Sequence, residues 1–192
     1  AVERLRKAGA VILGKTNLPD FAGHGTRTNS SMAGVTLNPY NTAKAPGGSS
    51  GGTATAVNAS FAVLGLGTET GGSIQNPAAA QALVGVVGPL ARTVRDAAVA
   101  LDVIAGPTVE DPATFSAEGH IPGDGYAAGL TTGSLRGKRF GLVGPGWRDE
   151  FLPLAPETGA FYREAIRFLE ELGGSAVDDP FAGSGFREHY QE

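Results

Sequence analysis

Residues 47–74 read GGSSGGTATAVNASFAVLGLGTETGGSI, with a run of glycine and serine at each end of the stretch. Between the two runs, TATAVNAS has the small residues of a closely packed helix, and FAVLGLG is apolar enough for a buried strand. Glycine-rich runs give up backbone entropy, so they usually mark a turn, a close approach of two backbones or a functional loop. The stretch therefore predicts a helix and then a strand, bracketed by two loops that carry hydroxyl groups.

The segments before this stretch continue the alternation of helix and strand. A helix is predicted from Val2 to Ala8 with Gly9 as its stop, and AVIL at 10–13 is predicted to be a short buried strand. Residues 15–52 contain too much Gly, Pro and Asn for regular structure, and a loop this long inside a compact domain is usually functional.

The segments after it follow the same alternation. Thr93 and Asp96 predict a capped helix start, and Gly106 with Pro107 predicts its end. Further helices are predicted in PAAAQALVG (77–85) and PETGAFYREAIRFLEELGG (156–174), and further strands in KRFGLVG (138–144) and SAVDD (175–179). Alternating strands and helices predict an α/β architecture in which helices cover a sheet.

The composition limits the class of protein. At 192 residues we expect a single domain over residues 1–192, and 41% apolar residues exclude a disordered chain. The absence of cysteine excludes disulfides, thiolate nucleophiles and Cys-based zinc sites. A net charge of −4 without a basic cluster, and no segment that approaches a membrane span, predict neither a nucleic-acid nor a membrane partner. A cytoplasmic location is favoured.

The run GGSSGG fits several kinds of loop. It matches the G-x-S-x-G nucleophile elbow, but NTAKAP stands where that motif needs a hydrophobic strand. A phosphate-binding P-loop needs a lysine, and Thr53 follows Gly52 directly. A glycine-rich turn whose serines cap the next helix is the simplest structural interpretation.

The second run, TETGGSI at 68–74, suggests a catalytic loop. Successive backbone N–H groups in a tight glycine turn form a concavity suited to a developing oxyanion, and Ser73 stands at its edge. Serine is a poor nucleophile at neutral pH and needs a proton acceptor within hydrogen-bond reach. The first serine run can supply that relay.

Taken together, GGSSGG and TETGGSI resemble the amidase signature family. GAVILGKTNLPDFA (9–22) and GPLARTVRDAAVALDVIAG (88–106) resemble the flanking segments of that family, and residues 135–180 resemble the segment that follows. The resemblance implies a three-layer α/β/α sandwich around a mixed β-sheet. It also implies hydrolysis of a carboxamide C–N bond through a serine acyl-enzyme with a Ser-Ser-Lys triad, a small-molecule amide substrate and no metal or cofactor, and it is compatible with a homodimer.

The same resemblance assigns roles to single residues. Ser73 is the nucleophile, and Ser49 is the relay serine, which in the family follows a cis peptide bond. The backbone N–H groups of Thr70, Gly71, Gly72 and Ser73 form the oxyanion hole. In the family the triad lysine lies in a separate segment well upstream of GKTN, so the resemblance implies that it precedes this chain. Lys7, Lys15 and Lys44 match no triad position.

The sequence also departs from the family in three places. Gln75 stands where the family usually has arginine, so any ionic tether made there is replaced or lost. The join of Val86 and Val87 indicates an omitted loop. Since the chain opens with Ala1 inside a helical pattern, we expect truncation at the N-terminus, and the ending indicates the same at the C-terminus.

Two rival functions stay open. The first is an α/β-hydrolase-type esterase that uses Ser49 with His24 or His120; His24 could equally line a substrate pocket. The second is a non-catalytic amidase-like binding protein or subunit. His189 is isolated, Trp147 could border a pocket, and Glu69 is interpreted as a loop anchor.

Overall fold

The computed structural model describes residues 1–85, 88–130, 135–142, 153–178, 180–181 and 183–184 of the chain. The chain divides into two compact units, Ala1–Leu130 and Thr131–Glu192. A single domain over the whole chain stays a prediction. The proposed break between residues 86 and 87 lies outside the described residues.

The first unit contains four helices and five short strands among its described residues. In chain order they are α1 (Val2–Lys7), β1 (Thr28–Ser30), β2 (Gly34–Thr36), α2 (Gly51–Asn58), β3 (Leu64–Leu66), α3 (Gln75–Ala80), β4 (Val84–Gly85), β5 (Pro89–Ala91) and α4 (Val94–Ile104). Two 3₁₀ helices, Asp20–Ala22 and Pro112–Ala117, lie in the connecting segments. The helices predicted at Val2–Ala8, in TATAVNAS and after Thr93 are confirmed, but the helix predicted over 77–85 is only partly correct, because α3 ends at Ala80 and Val84–Gly85 form a strand that pairs with β5.

The core of this unit lies where α2 and α3 meet a small antiparallel sheet. Strand β5 runs between β3 and β4 and pairs antiparallel with both. Ala54, Ile74, Ala78 and Leu90 form the buried cluster, with Leu83 packed against it. Gly65 of β3 allows the close packing on α2, because a Cβ added there would lie 2.4 Å from the Thr53 side chain.

Helix α4 begins and ends as its sequence predicts. The Thr93 hydroxyl accepts a hydrogen bond from the Asp96 N–H at 3.1 Å, which satisfies a free donor of the first turn. At the other end, the Arg4 guanidinium of α1 donates to the carbonyls of residues 104–107 at 2.5 to 3.3 Å. This contact joins α1 to the carboxyl end of α4.

The second unit is a parallel strand pair with one helix. Strand β6 (Arg139–Leu142) pairs with β7 (Ser175–Asp178) in parallel, with Phe140 opposite Ala176. Helix α5 (Pro156–Glu171) lies between them in the chain and begins with proline in its first turn, where the missing N–H costs no hydrogen bond. These three elements and their order are as predicted, and the mixed α/β class is confirmed.

Two predictions for residues 10–52 are wrong. AVIL at 10–13 forms no strand, and Val11 and Leu13 are 82% and 71% exposed. A strand needs a neighbour for its N–H and C=O groups, and none of the described strands pairs with this segment. The loop 15–52 is not wholly irregular, because it contains the β1–β2 hairpin. The Asn17 side chain donates hydrogen bonds of 3.0 Å to the Gly34 carbonyl and the Thr36 hydroxyl of this hairpin.

Candidate active site

Every glycine of the first serine loop, residues 47–52, packs closely against another segment. Gly47 has a positive φ of 79°, which a side chain would disfavour. A Cβ would come within 2.4 Å of an atom of another residue at each position: Pro77 for Gly47, His24 for Gly48, Thr28 for Gly51 and Asn17 for Gly52. The glycines are therefore required by close approach of backbone and side chains.

Ser49 is the buried serine of this loop. The Gly48–Ser49 peptide bond is cis, as the family resemblance implies. The side chain is 1% exposed, and its hydroxyl finds no hydrogen-bond partner among the described residues. Buried polar groups in native proteins are nearly always paired, so an unpartnered hydroxyl calls for a specific explanation.

Ser50 connects the two serine loops. Its N–H donates to the Ser73 carbonyl at 2.9 Å, and its hydroxyl contacts the Thr68 backbone, accepting from the N–H at 3.2 Å and donating to the carbonyl at 3.3 Å. The helix-capping interpretation of the serines is wrong, because the Ser50 side chain makes no cap bond to α2. The structure instead places the loop of Ser49 directly against the loop of Ser73.

The second serine loop is organised around the Glu69 carboxylate. One oxygen accepts hydrogen bonds from the N–H groups of Gly72 and Ser73, the latter at 2.8 Å. The other accepts from Ile74 at 2.6 Å and from Gln75 at 3.2 Å. Burial alone would raise the pKa of Glu69, but these four donors outweigh it and hold the pKa below its ordinary value. Glu69 is a loop anchor, as predicted.

The four donors assigned to the oxyanion hole fall into two pairs. The N–H groups of Gly72 and Ser73 donate to Glu69. Those of Thr70 and Gly71 donate to no acceptor within the described part of the chain. Gly71 also borders open space, since a Cβ there would meet nothing within 4 Å. A hole built from all four donors stays a prediction.

The segment around His24 lies beside both serine loops. A Cβ at Gly48 would approach the carbonyls of His24 and Arg27, and the Gly25 carbonyl accepts from the Asn76 side chain at 3.2 Å. The exposed His24 ring faces its own loop, with Nδ1 accepting from the Thr26 N–H at 3.3 Å.

The esterase pairing of Ser49 with a histidine does not form in the described residues, because the Ser49 hydroxyl has no partner there. His120 is exposed and lies beside the Glu118 carbonyl at 3.1 Å. His189 and Trp147 lie outside the described residues. The loop before Ser49 also contains no strand of the kind that a nucleophile elbow requires.

The side chains of the remaining candidates have no hydrogen bond to either serine loop among the described residues. Lys15 and Lys44 are exposed, and Lys7 pairs with Glu3 at 2.8 Å. Gln75 is exposed and contributes its backbone N–H to Glu69. In the described ranges, no group of three or more His, Asp or Glu side chains could hold a metal ion, and no helix is long and apolar enough to cross a membrane.

Comparison with known proteins identifies a family. Residues 1–87 match the family model described as Amidase. A glutamyl-tRNA(Gln) amidotransferase subunit of Roseiflexus castenholzii is 41% identical over 200 residues, which cover 93% of this chain and 39% of that protein. The corresponding protein of Symbiobacterium thermophilum is 41% identical, with 92% and 39% covered.

Solved structures extend the likeness over nearly the whole chain. The native peptide amidase of Stenotrophomonas maltophilia superposes with a TM-score of 0.80 at 36% identity, covering 95% of this chain and 42% of that one. A bacterial aryl acylamidase of the amidase signature enzymes gives 0.77 at 28% identity, covering 94% and 40%. The chain spans about two fifths of the length of these relatives.

These likenesses confirm the predicted amidase signature fold. They do not support the expectation that a small-molecule amide is the sole partner, because the curated relatives are named as subunits of an amidotransferase. By the family match over residues 1–87 and the superposition on solved amidases, the chain carries a region of the Amidase family and is similar to amidase signature enzymes over nearly its whole length.

Proposed function

We propose that the protein containing this chain is an amidase that cleaves a carboxamide C–N bond through an acyl-enzyme on Ser73. The observation that carries the proposal is the contact between the two serine loops. The Ser50 N–H meets the Ser73 carbonyl at 2.9 Å, immediately beside a fully buried Ser49 hydroxyl. Two serines on touching loops fit a relay that uses no histidine.

The reaction begins when the Ser73 hydroxyl attacks the amide carbon. A bond forms between Oγ and that carbon, and the hydroxyl proton passes to Ser49 while Ser49 gives its own proton to the leaving nitrogen. The C–N bond then breaks and releases ammonia or an amine. Water attacks the ester of Ser73 by the same route in reverse and releases the carboxylic acid.

The Ser49 hydroxyl, which has no partner among the described residues, is consistent with a third triad member that comes from outside this chain and bonds to it. A serine hydroxyl both donates and accepts, and Ser49 finds neither role filled among the described residues. In the family this partner is a lysine. For it to start the relay as a base it must be neutral, which requires burial or positive neighbours to lower its pKa.

The free N–H groups of Thr70 and Gly71 are suited to bind the negative oxygen that develops on the amide. Both belong to the loop that carries Ser73, and Gly71 borders open space. Donors of this kind stabilise the transition state by about 3 to 4 kcal/mol each when measured by removal.

A second candidate is the ammonia-releasing component of an amidotransferase. The names of the curated relatives favour it, since they are called subunits of a glutamyl-tRNA(Gln) amidotransferase. The chemistry at Ser73 is the same, and the candidates differ in whether ammonia is released to water or passed to another polypeptide of a complex. A homodimer and a cytoplasmic location remain predictions.

Labelling of the full-length protein with a fluorophosphonate probe, followed by mass spectrometry, tests the proposal. We expect the label on Ser73 and its complete loss in Ser73→Ala. Ser49→Ala should lower amide turnover by about 10² to 10⁴-fold, as expected for loss of a proton-transfer group. His24→Ala and His120→Ala should keep turnover, whereas an esterase would lose it in one of them. Labelling of Ser49 with Ser73 untouched would overturn the assignment.

A further inference from the structure

The Glu69 carboxylate is the hydrogen-bond acceptor for a whole run of backbone donors in the second serine loop. Four consecutive N–H groups, from Gly72 to Gln75, point at its two oxygens. No ion pair with Glu69 forms among the described residues, including at Gln75, where the family has arginine. The negative charge is therefore balanced by backbone dipoles alone.

Ile74 anchors one end of the loop in the core, but the part that precedes Ser73 has little packing to fix it. Thr70 and Gly71 are exposed, and the three atoms nearest to a Cβ at Gly72 would all belong to the Asn76 side chain. Apart from the bonds to Glu69, backbone hydrogen bonds join the Ser50 N–H to the Ser73 carbonyl, the Asn76 N–H to the Gly72 carbonyl at 2.8 Å and the Ala78 N–H to the Ile74 carbonyl at 3.0 Å. Bonds to an ionised acceptor are roughly twice as strong as neutral ones, so Glu69 dominates the order of this loop.

We propose that Glu69 is a positioning residue that divides the donors of this loop between structure and catalysis. Its carboxylate takes the N–H groups of residues 72–75, which fixes the backbone of Ser73. The N–H groups of Thr70 and Gly71 are left to bind the oxyanion. This inference rests on the proposed amidase function, because it assigns Glu69 a task in the same reaction.

If Glu69 takes the N–H groups of Gly72 and Ser73, the oxyanion hole consists of two donors, those of Thr70 and Gly71, and not of four. An oxyanion at the Gly72 and Ser73 donors would have to displace a carboxylate that already holds both, along with Ile74 and Gln75. Two negative groups would then compete for one set of donors. Binding at Thr70 and Gly71 avoids that competition and keeps Ser73 in place during the reaction.

The test uses the full-length protein with Glu69→Gln, Glu69→Asp and the matched control Glu118→Gln, which changes an exposed glutamate in the same way. Glutamine keeps the size of the side chain but turns one acceptor into a donor that faces N–H groups. We expect kcat for an amide to fall about 10²-fold with KM within about threefold, the loss typical of a misplaced nucleophile. Aspartate keeps the charge and should give a kcat between those of wild type and Glu69→Gln. Glu118→Gln should match wild type.

Melting temperatures and the rate of fluorophosphonate labelling complete the design. A folded Glu69→Gln whose kcat and labelling rate lie within twofold of wild type would overturn the inference. If Glu69→Gln does not fold, Glu69→Asp decides: a reduced kcat at an unchanged melting temperature supports the role, and an unchanged kcat overturns it. A wild-type protein without turnover, or with its label away from Ser73, would instead defeat the proposed function and this inference with it.

Discussion

The two serine loops touch, yet they are held in place by different forces. Loop 47–52 is buried, and its four glycines leave no room for another carbon atom. Loop 69–75 is partly exposed, and a Cβ at Gly71 would meet nothing within 4 Å. Ile74 anchors its end in the core, and one carboxylate collects the four N–H groups of residues 72–75.

Two serine loops in contact can therefore be ordered by independent means, one by close packing and the other by hydrogen bonds to a charged group. A loop held by shape is sensitive to added volume and insensitive to pH. A loop held by charge accepts added volume where it faces solvent, but it depends on the ionisation of its acceptor. Substitutions that separate volume from charge can therefore break each loop without the other.

Gly52→Ala is expected to change the free energy of unfolding the most. Alanine is favoured over glycine by about 1 kcal/mol in a helix interior, so propensity alone predicts a gain in α2. The added Cβ, however, would lie 2.2 Å from the Asn17 carbonyl oxygen and 2.6 Å from its nitrogen. Because both are backbone atoms, we expect a net loss of about 3 kcal/mol in the free energy of unfolding, the upper range for overpacking.

Gly71→Ala in the other loop is the matched control. Its φ lies outside the left-handed region, and the space beside it is open, so unfolding in urea should show a change of less than about 1 kcal/mol. Equal losses for the two variants would show that packing does not distinguish the loops.

A medium effect is expected from Thr28→Val, which removes one polar support of the packed loop. Thr28 is fully buried, and its hydroxyl donates to the Gly47 carbonyl at 2.9 Å. Valine keeps the shape and leaves that carbonyl unpaired, which costs about 1 to 3 kcal/mol. Urea unfolding of Thr28→Val measures the loss, and Thr28→Ser, which retains the hydroxyl, separates the hydrogen bond from the methyl group. Unfolding curves for Thr28→Val that coincide with wild type would exclude a contribution of this bond.

The sequence predicts the parts of this fold that depend on local pattern. Helix α4 follows from its Thr93 cap and helix α5 from its apolar spacing, and both appear where predicted. The family resemblance supplies Ser49 and Ser73, whose roles stay predictions. The strand predicted for AVIL is wrong because four apolar residues do not specify a pairing partner, which is a non-local property.

The sequence predicts only part of the hydrogen bonding of the two loops, again because the partners are distant in the chain. Helix capping is the simplest interpretation of the serines in the first loop, but the Ser50 hydroxyl instead bonds to the Thr68 backbone. The Glu69 cluster does have a local signal. An acidic residue three positions before Gly72, in a turn that leads into a helix, is placed to collect the N–H groups that run into the helix start, here those of residues 72–75.

The smallest effect, and the sharpest separation of the two loops, concerns pH. Burial raises the pKa of Glu69, but its four donors outweigh that effect and hold the folded-state pKa below the ordinary value. A lowered folded pKa stabilises the protein above the unfolded pKa of about 4.3, and this stability is lost as pH falls through the folded value. Between pH 7 and pH 3, the difference in melting temperature between wild type and Glu69→Gln should therefore be widest near neutrality and should narrow in acid. The gap between wild type and Thr28→Val should stay constant, since neither side chain titrates. A Glu69→Gln gap that is equally independent of pH would show that charge does not hold the second loop.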